Sequence, residues 1–143
     1  MGIFNPLFLA DLNLILQAII LVVLGLAIYA RLKHSIVKHA MLMGSGIVLH
    51  TVAIVAIMVP SLLSMGVLLR NLLTGFALLT IVHATVGSFV ELMGIWLVAT
   101  WLSNTASVEK CFKRKNVMRV TIALWLTELI LGIYVYMMLY LPA

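Results

Sequence analysis

The stretch LFLADLNLILQAIILVVLGLAIYA, Leu7 to Ala30, carries a single charged residue, Asp11. About 20 apolar residues at 1.5 Å of rise each cross the hydrocarbon core of a bilayer, so this stretch reads as a transmembrane helix. Working outward, three more runs of the same kind extend over Ile36 to Val59, Val67 to Leu102 and Val117 to Leu141. Short connections make sequential helices antiparallel neighbours. The expected fold is therefore an all-α membrane protein, one domain built as an antiparallel four-helix transmembrane bundle running up-down-up-down. The third run is longer than a bilayer requires. Pro60, Arg70 and Asn71 punctuate the apolar sequence ahead of it, which predicts an interfacial turn around Pro60 to Asn71.

Composition agrees with a lipid solvent. Of 143 residues, 65% are hydrophobic and 9% charged, and the mean hydropathy is +1.26. A soluble domain carries about 25% charged residues. These values exclude a cytosolic enzyme, a secreted disulfide scaffold and a disordered tail. Cys111 is the only cysteine, which rules out an internal disulfide and any oxidoreductase working through paired cysteines. Redox work by this chain would need a cofactor.

The opening MGIFNPLFLADLN has no basic residue before the first apolar run and no small-residue cleavage pattern after it, so the first span is expected to remain. Arg31, Lys33 and Lys38 flank the first connection, and Lys110, Lys113, Arg114, Lys115 and Arg119 the third; Arg70 alone lies in the second. The positive-inside rule then puts the first and third connections in the cytoplasm and both termini outside a prokaryotic cell membrane. The net charge of +5 is a topology signal. For the same reason the KCFKRK run reads as a flank of span four, with no nucleic acid as partner.

Ionisable groups inside a span are expensive, and five stand out: His39, His50, His83, Glu91 and Glu128. His34 sits in the basic connection and is expected to face water. Taking midpoints near Ile47 and Gly87, His50 lies about 4 to 5 Å and His83 about 6 Å outward of centre. At 100° per residue, Gly87, Gly94 and Trp101 fall within about 40° of His83, and Val90 within about 20°. The face of His50 carries Gly46, Met43 and His39. Two imidazoles at matched depth with glycine one turn away suit a b-type haem, which needs nitrogen ligands on opposite faces and room for a flat ring. In this reading His50 and His83 are axial ligands of the iron, and Gly46, Gly87 and Gly94 admit the macrocycle. The alternative is interhelical hydrogen-bonding histidines with glycines as close-packing sites.

His39 lies about 16 Å from His50 along the helix, too far to share one iron. An interfacial role is favoured for it; a second haem, a propionate contact, or copper with Met43 or Met93 are the other options. Glu91 is rotated about 80° from His83, and neither Glu91 nor Glu128 has an obvious cationic partner in the membrane. Three roles stand for them: protonated and hydrogen-bonded across helices, orienting a ligand histidine, or lining a proton route. Asn13 and Gln17 are positioned to contact the same interior, with Asp11 at the outer edge. Tyr134, Tyr136 and Tyr140 read as an interfacial belt, as do Tyr29 and Trp101 at the other face. Trp96 and Trp125 are deeper, filling the core or packing on a macrocycle. No Ser, His and Asp grouping, Walker loop or HExxH pattern is present.

The order of three marks, KHAMLM at the start of span two, IVHATVG in span three and RKNVMRVTIALWLTELILGIYVYMMLY in span four, resembles the small four-helix membrane family of CtaM and YozB. The resemblance covers Lys38 to Tyr140, with Trp125, Gly132 and Tyr136 at family-like spacing. By it, His39 and His83 match histidine positions of the family and Met43 its following methionine. Ala40 departs from the family's histidine-arginine pair, the basic run Lys113 to Lys115 replaces a histidine before span four, and His50 has no match. The resemblance implies a setting near terminal-oxidase maturation, with respiratory oxidase subunits as partners. Three functions are thus expected: a non-enzymatic bis-histidine haem protein carrying electrons or supporting haem delivery near a respiratory chain, a cofactor-free oxidase assembly factor, or a copper-handling protein using His39, Met43 and Met93. Each admits an oligomer.

Overall fold

The computed structural model describes residues 6–64, 75–102 and 113–140. Four helices in it are long and apolar enough to span a membrane. Helix α1 is Pro6–Leu32. The second span is composite: α2 (Ile36–Ala53), one π turn (Ile54–Met58) and α3 (Val59–Ser64). Helix α4 is Gly75–Leu102 and α5 is Lys115–Tyr140. No strand occurs among the described residues. Helix is what a lipid solvent demands, because every backbone N–H and C=O must be satisfied within its own segment. Hydroxyls follow the same rule: Ser45, Thr80, Thr85, Ser88, Thr121 and Thr127 each donate to the carbonyl four residues back.

Pro60 does not end the second span as the sequence suggests. Proline lacks an N–H and clashes with the carbonyl four residues earlier. The preceding π turn, in which Val59 N–H donates to Ile54 O, widens the helix there, so Pro60 falls in the first turn of α3 and the helix continues to Ser64. Arg70 and Asn71, and with them most of the interfacial turn read from the sequence, lie outside the described residues, as does Cys111.

Helix α1 packs mainly on α2, and α4 mainly on α5. The bundle is thus two antiparallel hairpins that meet along α2 and α4 and along α1 and α5. The first hairpin turns at His34, whose φ of 58° lies in the left-handed region that usually calls for glycine. Ser35 N–H donates to Ala30 O and His34 N–H to Arg31 O, the pair of bonds that closes a helix C-terminus. At the far end of the bundle, Tyr136 Oη and Tyr140 Oη both donate to Asp11 Oδ1, at 2.9 and 2.6 Å. This ties the start of α1 to the end of α5.

Buried positions recur every three or four residues on each span: Leu9, Gln17, Ile20, Leu24 and Ala27 on α1; His39, Gly46, His50 and Ala53 on α2; His83, Gly87, Val90, Glu91 and Gly94 on α4; Thr121, Trp125 and Glu128 on α5. Ile20, Leu24, Val90 and Trp125 form the apolar core, with Met43 packed against it. Large apolar side chains such as Val22, Val48, Leu92 and Ile130 point outward, where a bilayer leaves them in a matching solvent.

Close approach of α2 to α4 depends on Gly94, since a Cβ there would run into the Ile47 side chain. Gly94→Ala is expected to lower thermal stability in detergent, with overpacking costing about 1–3 kcal/mol. Ile47→Ala should then cost less in the Gly94→Ala background than in the wild type; equal cost in both backgrounds would place the interface elsewhere.

Candidate functional site: a carboxylate and imidazole chain at mid-membrane

Four ionisable side chains from three helices meet where the hairpins join. His50 and Glu128 fall at the midpoints of their spans, Glu91 about 4 Å from the midpoint of its span toward the basic end, and His83 about 8 Å toward the terminal end, at 1.5 Å per residue. All are buried; His50 is 2% exposed and Glu128 1%. The α-helical repeat explains how α4 supplies two of them: His83, Gly87, Val90, Glu91 and Gly94 share one face at steps of three and four.

The contacts run in series. Thr51 Oγ1 is bonded to Glu91 Oε1. His50 Nδ1 lies 2.9 Å from Glu91 Oε2. His50 Nε2 lies 3.7 Å from Glu128 Oε2, and His83 Nε2 lies 3.7 Å from Glu128 Oε1. His83 Nδ1 closes the series by donating to the Glu128 main-chain O at 3.1 Å. The chain therefore reads Thr51, Glu91, His50, Glu128, His83, and climbs about 12 Å along the bundle between the levels of Glu91 and His83.

Proton positions follow from the partners. A carbonyl oxygen only accepts, so His83 carries its hydrogen on Nδ1 when neutral. His50 Nδ1 faces Glu91 Oε2 and donates in the same way. Both imidazoles thus turn Nε2 toward one carboxyl group. Without an added proton those meetings set nitrogen lone pair against oxygen lone pair. At 3.7 Å they are also too long for a direct hydrogen bond. His50 Nε2 and Glu128 Oε2 have no hydrogen-bond partner, the kind of orphaned buried pair that demands a physical account. Thr51 adds a second constraint: its one hydrogen cannot serve both Ile47 O at 2.9 Å and Glu91 Oε1. If the carbonyl takes it, the Glu91 carboxyl supplies the proton of its own bond. Two acids and two bases in a medium that solvates charge poorly are electrically balanced only when they hold two shared protons.

The glycines read from the sequence make room for side chains of facing helices. A Cβ on Gly87 would lie 3.3 Å from Glu128 Oε1, on Gly46 3.4 Å from Leu24 Cδ2, and on Gly132 2.9 Å from His83 Cε1. Gly94 accommodates Ile47. A bis-histidine haem calls for two imidazoles with Nδ1 anchored and Nε2 free for iron, and the donor chemistry of His50 and His83 meets that. The space between the two Nε2 atoms is taken by the Glu128 carboxyl, and no three His, Cys, Asp or Glu side chains among the described residues are gathered to hold a metal ion. Trp125 sits in the apolar core. His39, for which an interfacial role was favoured, is buried in the first turn of α2: its Nδ1 donates to Ala27 O at 2.9 Å, stapling α2 to α1. Glu91, which lacked an evident partner in the sequence, is bonded to His50, and Glu128 faces both histidines at 3.7 Å without a direct hydrogen bond to either Nε2.

Two cavities flank the chain. The larger, about 210 Å³, lies toward the terminal end and is lined by Asn13, Gln17, His83, Gly87 and Glu128 among apolar neighbours. The smaller, about 30 Å³, lies on the other side of His50 beside Met43, Gly46 and Trp125. The second is the size of one water. Sequence reading singled out all four ionisable residues but not their order of contact. Thr51 and the seat of His83 on Gly132 were not foreseen, and no linear signal marks either.

Glu91→Leu strands the buried His50 Nδ1–H and should destabilise the bundle by about 1–3 kcal/mol. His50→Leu is expected to cost about 0.5–3 kcal/mol less in that background than alone, measured by unfolding in micelles; strictly additive losses would dissolve the pair. No protein-family model, curated protein sequence or solved structure matches the chain.

Proposed function

We propose that this is a proton-handling membrane protein whose working centre is the series Glu91, His50, Glu128, His83. The observation that carries the reading is the double approach to Glu128: two imidazoles, each with Nδ1 already bonded, present Nε2 to the two oxygens of one buried carboxyl group. A protonated Glu128 donates to one of them at a time once its carboxyl moves in from 3.7 Å to hydrogen-bond range. Moving its proton from Oε2 to Oε1 turns the donor from His50 toward His83, so the carboxyl passes a proton between the two levels. Glu91 and Thr51 hold the His50 ring and give its Nδ1 an acceptor that accepts or returns a proton. In-membrane acids and histidines are costly and mark proton paths in other membrane proteins. Proton-coupled chemistry also fits the respiratory setting implied by the resemblance of span four.

The orientation we propose sets the basic end, with Arg31, Lys33, Arg114 and Lys115, on the cytoplasmic side and both termini outside. Lys33 over Tyr29 and Arg114 over Trp96, with the cations 5.8 and 4.9 Å from the ring centroids, support a common interfacial level there. The larger cavity then belongs to the outer half of the bilayer and the smaller one to the inner half.

A second reading uses the same atoms. Nδ1 anchoring of both His50 and His83 favours a b-type haem held by their Nε2 atoms, which would supply one-electron chemistry and would require the Glu128 carboxyl to leave the space between them.

Infrared spectra of the protein in lipid across a pH series test the first reading. The wild type is expected to show a protonated-carboxyl band that Glu128→Gln removes and His50→Phe shifts; a spectrum unchanged by either substitution overturns it. Absorption spectra after expression with ample haem test the second. A Soret band lost in both His50→Ala and His83→Ala establishes the ligand pair, and a featureless spectrum that added haemin leaves unchanged removes it.

A further inference from the structure

Helix α1 contributes no ionisable group to the chain, yet it buries an amide beside it. Gln17 is 5% exposed, and neither Nε2 nor Oε1 has a hydrogen-bond partner. Asn13, one turn earlier on the same face, leaves its Oδ1 unpartnered as well. Both line the cavity of about 210 Å³ that reaches His83 and Glu128. Other polar residues on its wall are already engaged: Thr80 and Ser88 donate to their own helix, and Tyr136 to Asp11. The unmet polar capacity of the described wall is thus gathered at one place, between the α1 amides and the ends of the His83 and Glu128 side chains. Leu9, Ile57, Leu129 and Leu139 belong to the apolar remainder.

Volume and polarity together specify the occupant. A cavity of about 150 Å³ with apolar walls accepts benzene, while a buried water needs two to four polar partners. Filling this space with water takes on the order of seven molecules at about 30 Å³ each. Most of those waters would find only one another as partners beside a largely apolar wall, a poorer filling than one apolar ring with a polar substituent. One substituted aromatic ring does fit, with its body against the leucines and isoleucine and a polar substituent at the amides. Gln17 offers both a donor and an acceptor, and Asn13 Oδ1 adds an acceptor. A hydroxyl, which accepts and donates at once, accepts from Gln17 Nε2 and donates to one of the two amide oxygens, where an ether can only accept and a hydrocarbon does neither.

We propose that the cavity is a binding site for a lipid-soluble single-ring phenol or hydroquinone, its hydroxyl held by Gln17 and Asn13 and facing His83 and Glu128. The binding claim stands on the cavity alone; it rests on the proton-handling reading only for the purpose of the site, in which the ligand hydroxyl exchanges its proton with the chain.

The test uses trimethylhydroquinone and its dimethyl ether, titrated into the full chain in lipid nanodiscs against protein-free nanodiscs, with binding read by calorimetry. One saturable site per chain is expected for the hydroquinone, with the ether at least tenfold weaker. Gln17→Leu, close in size and apolar, should weaken the hydroquinone at least tenfold and abolish the preference over the ether. Ala84→Phe, which fills the cavity, should remove both. No saturable binding, or equal binding to wild type and Gln17→Leu, overturns the proposal and leaves a cavity for water or lipid tails. The Glu128→Gln infrared spectrum is read separately: if it matches the wild type while the hydroquinone still saturates, the proton-handling reading falls and the binding site stands.

Discussion

A bilayer does not solvate charge, and this bundle places two carboxyl groups and two imidazoles in its middle. They are tolerable there only as a neutralised set in which each acid faces a base. That requirement governs the assembly. Glu91 reaches His50 across the α2 and α4 contact, and Glu128 stands between His50 and His83, so the two hairpins are joined through the centre. Apolar helices sliding in lipid have little to fix their register, because lipid tails are as apolar as leucine. A chain of polar contacts does fix it, since a slip of one residue would leave a buried ionisable group alone.

Small residues let the set close. Gly87 gives room to the Glu128 carboxyl, Gly132 to the His83 ring, and Gly94 brings α2 close enough to α4 through Ile47. Ordinary side chains at these positions would push the helices apart and lengthen contacts of 2.9 to 3.7 Å beyond useful range. The glycines thus serve the polar centre by packing, whichever ligand the centre takes.

The centre is also asymmetric along the membrane normal. On the basic side lie a well-filled core around Trp125 and a void of about 30 Å³; on the terminal side lies a cavity of about 210 Å³ with unpartnered amides. Glu128 therefore has unequal surroundings on its two sides.

By itself the amino-acid sequence determined the solvent, the number of spans, their alternation and the polar residues inside them. Hydropathy and helical period are local properties, and a residue such as Glu128 in an apolar run declares itself without any knowledge of its neighbours. The tertiary structure alone decided who meets whom. Helical angles put Glu91 about 80° from His83, but only the packing of α2 against α4 turns that offset into a bond with His50. Matched depth suggested that His50 and His83 share a ligand, and the packing of α5 adds a carboxyl group, Glu128, between them. Pro60 read as a stop, yet a π turn five residues long in its approach let the helix pass, because the widened backbone no longer needed the missing N–H. His39 read as interfacial from its place in the sequence and found a carbonyl of α1 when the first hairpin closed. Contacts between helices depend on rotation, tilt and register together, and none of the three is written in a single span.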